Sequence, residues 1–328
     1  MTAVWEGRKR RIHMQEVGTR DGLQSESAFV PSAEKIALVN VLSQTGVSRI
    51  EVTAFVSALA IPALKDAEIV MNEITRQPGV IYSALVPNLM GAQRAIAART
   101  DELNMVMSAT ETHNLSNLRM TQEQSFSSLV RVAALAKDAG VALNVSLSCC
   151  FGCPMDGEVE LSTVMQWCQR FMDTPGVTGI SLCDTTGMAY PSQVHEWVKS
   201  FLASWPASVL TLHFHNTRGL GLANILAAID AGAFRFDASL GGIGGCPYAP
   251  GASGNVCTEE VVHALELMGY DTHVDLDVLM GAARRLPALI GREVPSQLVK
   301  AGRRLDLHPH PEGLKEIKDR ALSRQAAK

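Results

Sequence analysis

The 328-residue sequence lacks three features that would each indicate a class of function. Its apolar runs are much too short to cross a bilayer, so we expect no membrane-spanning segment. The 29 Lys and Arg residues are scattered and the net charge is −4, which argues against nucleic acid as a partner. The basic residues at 8–11 are followed by no apolar core, so we expect no secretory signal, and the cluster is too short to indicate a mitochondrial transit peptide.

Cysteine is also sparse. The chain has seven cysteines, an odd number spread over a long sequence, and this suits a reducing cytoplasm better than a disulfide framework. We therefore expect a cytoplasmic protein. No low-complexity segment or internal linker divides the chain, and a hydrophobic content of 47% is enough for a large core.

Short apolar or β-branched segments alternate with longer amphipathic segments along most of the chain. Regular alternation of this kind predicts an α/β fold with a parallel sheet, and eight strand–helix units predict a closed (β/α)8 TIM barrel. We assign the barrel to residues 1–275 and additional C-terminal helices, packed on the barrel, to residues 276–328. The predicted strands lie near residues 11–17, 48–53, 80–86, 103–108, 141–148, 177–183, 208–213 and 234–239. The predicted helices lie near residues 32–46, 63–76, 88–99, 121–140, 160–174, 191–204, 219–232 and 256–269.

Two histidines at the end of the seventh predicted strand have the spacing of metal ligands. His213 and His215 stand at positions i and i+2 of Leu-Thr-Leu-His-Phe-His, so both side chains point to one face of the strand. In a TIM barrel that face is the interior, at the C-terminal rim where active sites lie. The pair alone is a weak signal, because structural histidines also occur at this spacing.

Charged residues near the ends of three other predicted strands should reach the same rim. Asp21 offers an oxygen that, with two imidazoles, suits Mg2+ or Mn2+, although a turn or a helix cap is the alternative role. The guanidinium of Arg20 could stabilise an oxyanion formed in a reaction, or could pair with Glu16 or Glu51. Because Glu51 lies in an apolar strand, it needs a partner under either interpretation. Asp184 ends the sixth strand, and we expect it to orient a ligand or the arginine.

A glycine-dense loop at residues 241–255 follows the eighth strand and carries a cysteine near its centre. Such a backbone costs folding entropy, and a loop that carries a thiol to a bound substrate is a use that would explain it. Cys246 is therefore a candidate general acid or base. Asn255, at the end of the loop, could add a carbonyl oxygen to the metal. A loop cysteine without a chemical role is the alternative.

Three cysteines follow the fifth predicted strand in the sequence Cys-Cys-Phe-Gly-Cys. The spacing of Cys150 and Cys153 suggests a zinc or redox site, but no second pair stands at zinc spacing. We therefore expect Cys149, Cys150 and Cys153 to pack in the core or to line a substrate pocket.

Five stretches make the chain resemble the 3-hydroxy-3-methylglutaryl-CoA lyases, within the wider superfamily of metal-dependent lyase and synthase barrels. The stretches span most of the predicted barrel. The most specific contains Gly-Gly-Cys-Pro-Tyr, because the synthases of the superfamily lack this cysteine loop. The matching stretches are residues 16–24, 50–57, 184–187, 213–215 and 244–255.

The resemblance implies a divalent metal, Mg2+ or Mn2+, and an acyl-CoA substrate. In such a site Arg20 stabilises an enolate, Cys246 moves protons, and Glu51 and Asp184 support the arginine and the metal shell. The implied catalytic residues are Arg20, Glu51, Asp184, His213 and Cys246, and the implied metal ligands are Asp21, His213, His215 and Asn255.

The reaction implied by the resemblance is the reverse of a Claisen-type addition, which would cleave 3-hydroxy-3-methylglutaryl-CoA to acetyl-CoA and acetoacetate. A homodimer is the implied assembly. Two departures from the family bear on the acyl substrate. Residues 216–220 read Asn-Thr-Arg-Gly-Leu where the family usually has Asp-Thr-Tyr-Gly-Gln, and Ser57-Ala58-Leu59 stands where the family usually has Ser-Pro-Lys.

Three other functions remain open from the sequence. One is a lyase for a related thioester such as citramalyl-CoA, which would give pyruvate and acetyl-CoA. A second is a synthase that runs the condensation. A third is a barrel that binds CoA or metal without catalysis, and such a protein should have lost Arg20, Asp21 or Cys246, all of which are present.

Overall fold

The computed structural model describes residues 11–245 and 254–326, and its centre is a closed barrel of eight parallel strands. Each strand pairs with the next along the chain, and β1 pairs with β8 to close the barrel. The predicted TIM barrel is therefore confirmed. The strands are β1 His13–Glu16, β2 Arg49–Ala54, β3 Ile81–Val86, β4 Glu102–Ser108, β5 Ala142–Ser148, β6 Val177–Asp184, β7 Leu210–Phe214 and β8 Arg235–Ala238.

Helices follow every strand, and all eight predicted helices are present. The sequence sets both ends of helix α5. Thr121 and Gln124 form a capping box at its start, and Gly140, at φ +68°, ends it. The helices around the barrel are α1 Ser32–Leu42, α2 Ala67–Glu73, α3 Leu89–Ala97, α4 Glu111–Leu118, α5 Gln122–Ala139, α6 Leu161–Met172, α7 Pro191–Ser204, α8 Gly221–Ala231 and α9 Thr258–Leu267.

Helix α4 has no counterpart among the predicted helices. Its sequence, Glu-Thr-His-Asn-Leu-Ser-Asn-Leu, is mostly polar and rich in residues of low helix propensity. A tertiary contact stabilises it instead, because the buried Asn114 side chain accepts from the Ser108 N–H and donates to the Met120 carbonyl.

The interior of the barrel is polar. Along β2 the side chains of Arg49 and Glu51 share one face by the two-residue period of a strand, before the register shifts between Glu51 and Thr53. Glu51 accepts a hydrogen bond at 2.7 Å from Asn104 on β4, the second strand along from β2. Asn104 in turn accepts from Asn144 on β5 at 2.9 Å. Hydrogen bonds between side chains therefore link β2, β4 and β5 inside the barrel, below the rim formed by the carboxyl ends of the strands.

The chain continues beyond the barrel as further helices. Leu279, Met280, Leu286 and Ile290 are buried, so the first of these helices share the core of the barrel. Residues 304–325 are exposed, and Arg303 before them is half-buried and pairs with Asp277. The division into a barrel and a C-terminal extension stays a prediction. These helices are α10 Leu276–Ala283, α11 Leu286–Ile290, α12 Gln297–Ala301 and α13 Leu314–Ala326.

In the part of the chain that the structure describes, no helix combines the length and the hydropathy that crossing a membrane requires.

Candidate active site

The carboxyl ends of β1 and β7 bring the predicted metal ligands together. β1 continues into a π-helical turn, Gly18–Gly22, in which the N–H groups of residues 20–22 all donate to the Val17 carbonyl. Turns of this kind are frequently found at functional sites. The π-helical turn buries Asp21 against two histidines. His213 is the next-to-last residue of β7, and His215 directly follows the strand.

Three ligand atoms form a triangle at this rim. His213 Nε2 and His215 Nε2 are 3.2 Å apart, and they lie 3.9 Å and 3.6 Å from Asp21 Oδ2. Ligand atoms that share one small divalent ion at right angles are about 3 Å apart, given metal–ligand distances of roughly 2.1 Å. The set fits such an ion with little adjustment. Among the described residues, this is the group of His, Cys, Asp and Glu side chains that could hold a metal.

The charges around the triangle favour an ionised Asp21. Burial alone would raise the pKa of its carboxyl, but the Arg20 guanidinium and the two histidines hold that pKa well below its ordinary value. For His215, burial lowers the imidazole pKa, and the neighbouring His213 acts in the same direction. An ionised carboxylate beside a neutral imidazole is the protonation state that metal binding requires.

Asn255 lies against Asp21 at the end of the glycine-rich loop. Its Nδ2 donates to Asp21 Oδ2 at 2.7 Å and to the Ile243 carbonyl at 3.1 Å. Its Oδ1 is buried and has no hydrogen-bond partner among the described residues. An unpaired buried carbonyl oxygen beside the triangle is compatible with a fourth ligand, and that role stays a prediction.

The approach of the glycine-rich loop to Asp21 requires glycine at position 244. Gly244 has φ +106°, and a Cβ there would lie 2.5 Å from Asn255 Nδ2 and 2.9 Å from the Asp21 carbonyl oxygen. Cys246 itself lies outside the described residues, so its predicted role is a prediction still.

Arg20 is held by two carboxylates at the mouth of the barrel. Its Nε donates to Glu51 Oε2 and its Nη1 to Asp21 Oδ1, both at 2.5 Å. The predicted pairing with Glu51 is thus present. The other predicted partner, Glu16, instead accepts from the Gly18 and Leu240 N–H groups and from the Thr258 hydroxyl.

Asp184 ends β6 on the same rim, but it contacts neither Arg20 nor the triangle. Its Oδ1 accepts from the Met188 and Ala189 N–H groups, and its Oδ2 is buried without a hydrogen-bond partner in the described part of the chain. Burial raises the pKa of this carboxyl to about 6, against the opposing effect of the two N–H groups. The expected contact of Asp184 with the arginine is absent among the described contacts.

One charged residue at the site, Asp237, is not among the residues predicted from the sequence. Asp237 on β8 lies beside His213, with its Oδ2 3.3 Å from His213 Nδ1. The signal that indicated Glu51, an acidic residue in an otherwise apolar strand, applies equally to Arg-Phe-Asp-Ala in β8.

The cysteines after β5 are buried free thiols. Cys150 Sγ donates to the Leu147 carbonyl at 3.0 Å, and Cys153 Sγ contacts the Thr110 hydroxyl and the Asp156 carboxylate. No described cysteine belongs to the possible metal group. Their arrangement agrees with the predicted packing role.

Known proteins are similar in sequence to this chain along most of its length. Residues 11–286 match the family described as HMGL-like. The chain is 42% identical to hydroxymethylglutaryl-CoA lyase YngG of Bacillus subtilis, over 88% of this chain and 96% of that protein. It is 38% identical to the mitochondrial hydroxymethylglutaryl-CoA lyase of Gallus gallus, over 90% of this chain and 99% of that protein.

A solved structure is still more similar in sequence. An HMG-CoA lyase from Acinetobacter baumannii, in complex with coenzyme A and 3-methylmalate, is 50% identical with a TM-score of 0.89. The match covers 95% of this chain and all of that one.

Proposed function

Since the chain belongs to the HMGL-like family, we propose that it is a metal-dependent carbon–carbon lyase that cleaves 3-hydroxy-3-methylglutaryl-CoA to acetyl-CoA and acetoacetate. The observation that carries this proposal is the triangle of Asp21, His213 and His215 directly beside the Arg20 guanidinium. A metal next to a fixed cation is what a reaction needs when a hydroxyl loses its proton and an enolate forms.

The ligands proposed for the metal are Asp21, His213, His215 and Asn255. The oxygen of Asp21 and the unpaired Oδ1 of Asn255 suit Mg2+ or Mn2+, which prefer oxygen donors more than zinc does. When bound, such an ion supplies a Lewis acid that lowers the pKa of a coordinated hydroxyl group.

Arg20 is placed to stabilise the oxygen of the leaving enolate. Glu51 and Asp21 hold two of its nitrogens, so the guanidinium is oriented before substrate arrives. A preorganised donor of this kind stabilises developing charge without further reorganisation. Asn104 holds the second oxygen of Glu51, which keeps the carboxylate turned toward Arg20.

Two groups are proposed to handle protons. Asp184 has a buried, unpartnered Oδ2 and a pKa raised to about 6, so near neutral pH it can accept a proton and return it. Cys246, which lies outside the described residues, is proposed to deliver a proton to the carbon of the enolate.

A shorter acyl substrate is a second candidate. The structure at 50% identity holds coenzyme A and 3-methylmalate, a hydroxy-diacid with a shorter backbone than 3-hydroxy-3-methylglutarate. The departures at residues 57–59 and 216–220 lie after β2 and β7, on the rim where an acyl chain would enter. Arg218 in this segment donates to the carbonyls of Thr186 and Gly187 and so ties the loop after β7 to the loop after β6.

The two remaining alternatives have less support. A barrel that only binds CoA or metal would not need Arg20 and Asp21 in an oriented pair. A synthase would not need the cysteine loop. An acyl-CoA partner, a homodimer and a cytoplasmic location complete the proposal.

The deciding experiment compares three thioesters in the presence of Mg2+ or Mn2+. 3-Hydroxy-3-methylglutaryl-CoA should give acetoacetate, citramalyl-CoA should give pyruvate, and 3-methylmalyl-CoA should give glyoxylate with propionyl-CoA. We expect the first to have the highest kcat/KM, and we expect Cys246→Ala to lose that activity. Preference for either shorter thioester would keep the reaction class and replace the substrate, whereas no cleavage of any of them would overturn the proposal.

A further inference from the structure

A second layer of charged side chains lies beneath the histidines. Asp237 on β8 stands directly across from His213 on β7 in the register of the two strands. Its Oδ2 is 3.3 Å from His213 Nδ1, and its Oδ1 accepts a hydrogen bond at 3.3 Å from Arg49 Nη2. Arg49 also donates to Glu102 Oε1 at 2.5 Å. These side chains, all buried except the half-buried Glu102, form one row that leads from β4 through β2 and β8 to His213.

The Asp237 carboxylate in this row influences which ring nitrogen of His213 is available to bind a metal. A neutral imidazole carries its proton on one nitrogen and offers a lone pair on the other. The carboxylate beside Nδ1 favours a proton there, which leaves the Nε2 lone pair directed at Asp21 and His215. Metal-bound histidines are commonly held in this way, and loss of the outer carboxylate typically lowers metal affinity about 10–100-fold.

His215 has no such support. Its Nδ1 is buried and has no hydrogen-bond partner among the described residues. The two histidines present the same Nε2 atom to the site, but among the described residues only the ring of His213 has a partner at Nδ1. The pair is therefore unequal, although its spacing in the sequence is symmetrical.

We propose that Asp237, held in place by Arg49, is a positioning residue that fixes His213 as the anchored metal ligand and leaves His215 as the adjustable one. This inference rests on the proposed function, because it requires a divalent metal at Asp21, His213 and His215. Arg49 orients the Asp237 carboxylate and balances its buried charge, and Glu102 orients Arg49. Neither Asp237 nor Arg49 touches the substrate in this proposal.

The test measures Mn2+ affinity of the full-length protein by electron paramagnetic resonance of free Mn2+. Asp237→Asn keeps the shape of the side chain and removes its charge. We expect Mn2+ to bind about 10–100-fold more weakly, with kcat recovering when Mn2+ is saturating. A variant that binds Mn2+ as tightly as the wild type would overturn the proposal, whatever its stability.

The matched control is Asp66→Asn. Asp66 is also a buried aspartate in an ion pair, with Lys35 Nζ at 2.6 Å, but it lies behind β2 between α1 and α2. This variant should lose stability and keep its Mn2+ affinity. A similar loss of affinity in both variants would assign the effect to general destabilisation and overturn the positioning role.

A measurement on the wild type keeps the proposal testable if Asp237→Asn does not fold. Nitrogen-15 spectra of histidine-labelled protein, assigned with His213→Gln, report which ring nitrogen of His213 carries the proton. We expect the proton on Nδ1 in the metal-loaded protein, and a proton on Nε2 would overturn the proposal. A wild-type protein that binds no Mn2+ would instead reject the metal-dependent function, and the positioning role with it.

Discussion

The two sides of the barrel mouth differ in charge. On the side formed by β1, β2, β7 and β8, buried carboxylates, guanidinium groups and imidazoles contact one another within 4 Å. On the side formed by β4 and β5, the buried polar groups are hydroxyl, thiol and amide groups and one imidazole. There Ser108 Oγ lies 2.6 Å from His113 Nδ1, and burial raises the pKa of the Cys150 thiol well above its ordinary value.

The difference shows how this barrel tolerates so many buried ions. A lone ion under the rim would cost several kcal/mol of desolvation, and breaking a buried pair typically costs about 3–5 kcal/mol. An opposite charge contacts each ion of the group Arg20, Asp21, Arg49, Glu51 and Asp237, so these charges compensate one another. The neutral side needs no such compensation, and we expect it to contribute packing rather than chemistry.

The largest effect should come from removing the cation on the ionic side. Arg20→Gln removes the guanidinium from Glu51 and Asp21 and takes away the donor proposed for the enolate. We expect kcat to fall about 100–1,000-fold, equivalent to about 2.7–4 kcal/mol of transition-state stabilisation. Steady-state kinetics at saturating metal would measure it. Arg76→Gln, which breaks an exposed pair with Asp101, is the control and should leave kcat nearly unchanged.

The next effect concerns stability and pH. Burial raises the pKa of Glu16 to about 7, so the folded protein keeps this proton to a higher pH than the unfolded chain, whose ordinary value is 4.5. The folded state binds more protons in this window, so stability should fall as pH rises from about 4.5 to about 7. The total from this group is about 3 kcal/mol.

Glu16→Gln should remove that slope, because the amide keeps an oxygen for the Gly18 and Leu240 N–H groups and does not titrate. Urea unfolding between pH 5 and pH 8 would measure the difference between variant and wild type. Glu73→Gln, at an exposed position, should leave the slope as in the wild type. If the free energy of unfolding changed with pH in the same way in Glu16→Gln and in the wild type, the Glu16 carboxyl would not be the cause of the pH dependence.

Metal binding should raise the free energy of unfolding by an amount similar to the contribution of Glu16. An ion that binds only the folded protein stabilises it by about 2.7 kcal/mol at a concentration 100 times its Kd. Thermal unfolding with Mn2+ and then with EDTA should show the gain and its reversal, and Asp21→Asn should show neither. If Mn2+ stabilised Asp21→Asn as much as the wild type, the ion would be bound elsewhere.

The smallest effect should come from the neutral side. Cys150→Ala removes a buried thiol and its contact with the Leu147 carbonyl. We expect a loss of about 1 kcal/mol in unfolding free energy and little change in kcat. A kcat lowered tenfold or more would mean that the thiol side takes part in the chemistry, and the contrast between the two sides would then be wrong.

The sequence was sufficient to predict the barrel and the three residues of the triangle. The barrel follows from the alternation of strands and helices. The histidine pair follows from the shared face of residues two apart in a strand, and Asp21 from its place after the first strand. The partners of those residues could not be predicted in the same way. Asp237 reaches His213 only through the register of β7 and β8, and α4 forms because Asn114 is anchored to β4, which its own propensities do not indicate.

Asn255 illustrates a second kind of gap. Its place at the end of the glycine-rich loop indicated that it would approach the metal site, and it does lie against Asp21. Which atom of its amide faces the site depends on the Ile243 carbonyl, to which Nδ2 also donates. Contacts of this kind depend on coordinates and not on spacing.

The closure of the barrel by β1 and β8 has a consequence for the synthesis of the protein. Asp21 and Asn255 are 234 residues apart in the chain, and they meet only when the last strand pairs with the first. During translation the ribosome releases the π-helical turn early, but the site cannot exist before β7, β8 and the segment to Asn255 have emerged. A chain that ends before Asn255 therefore contains the π-helical turn but lacks the complete site.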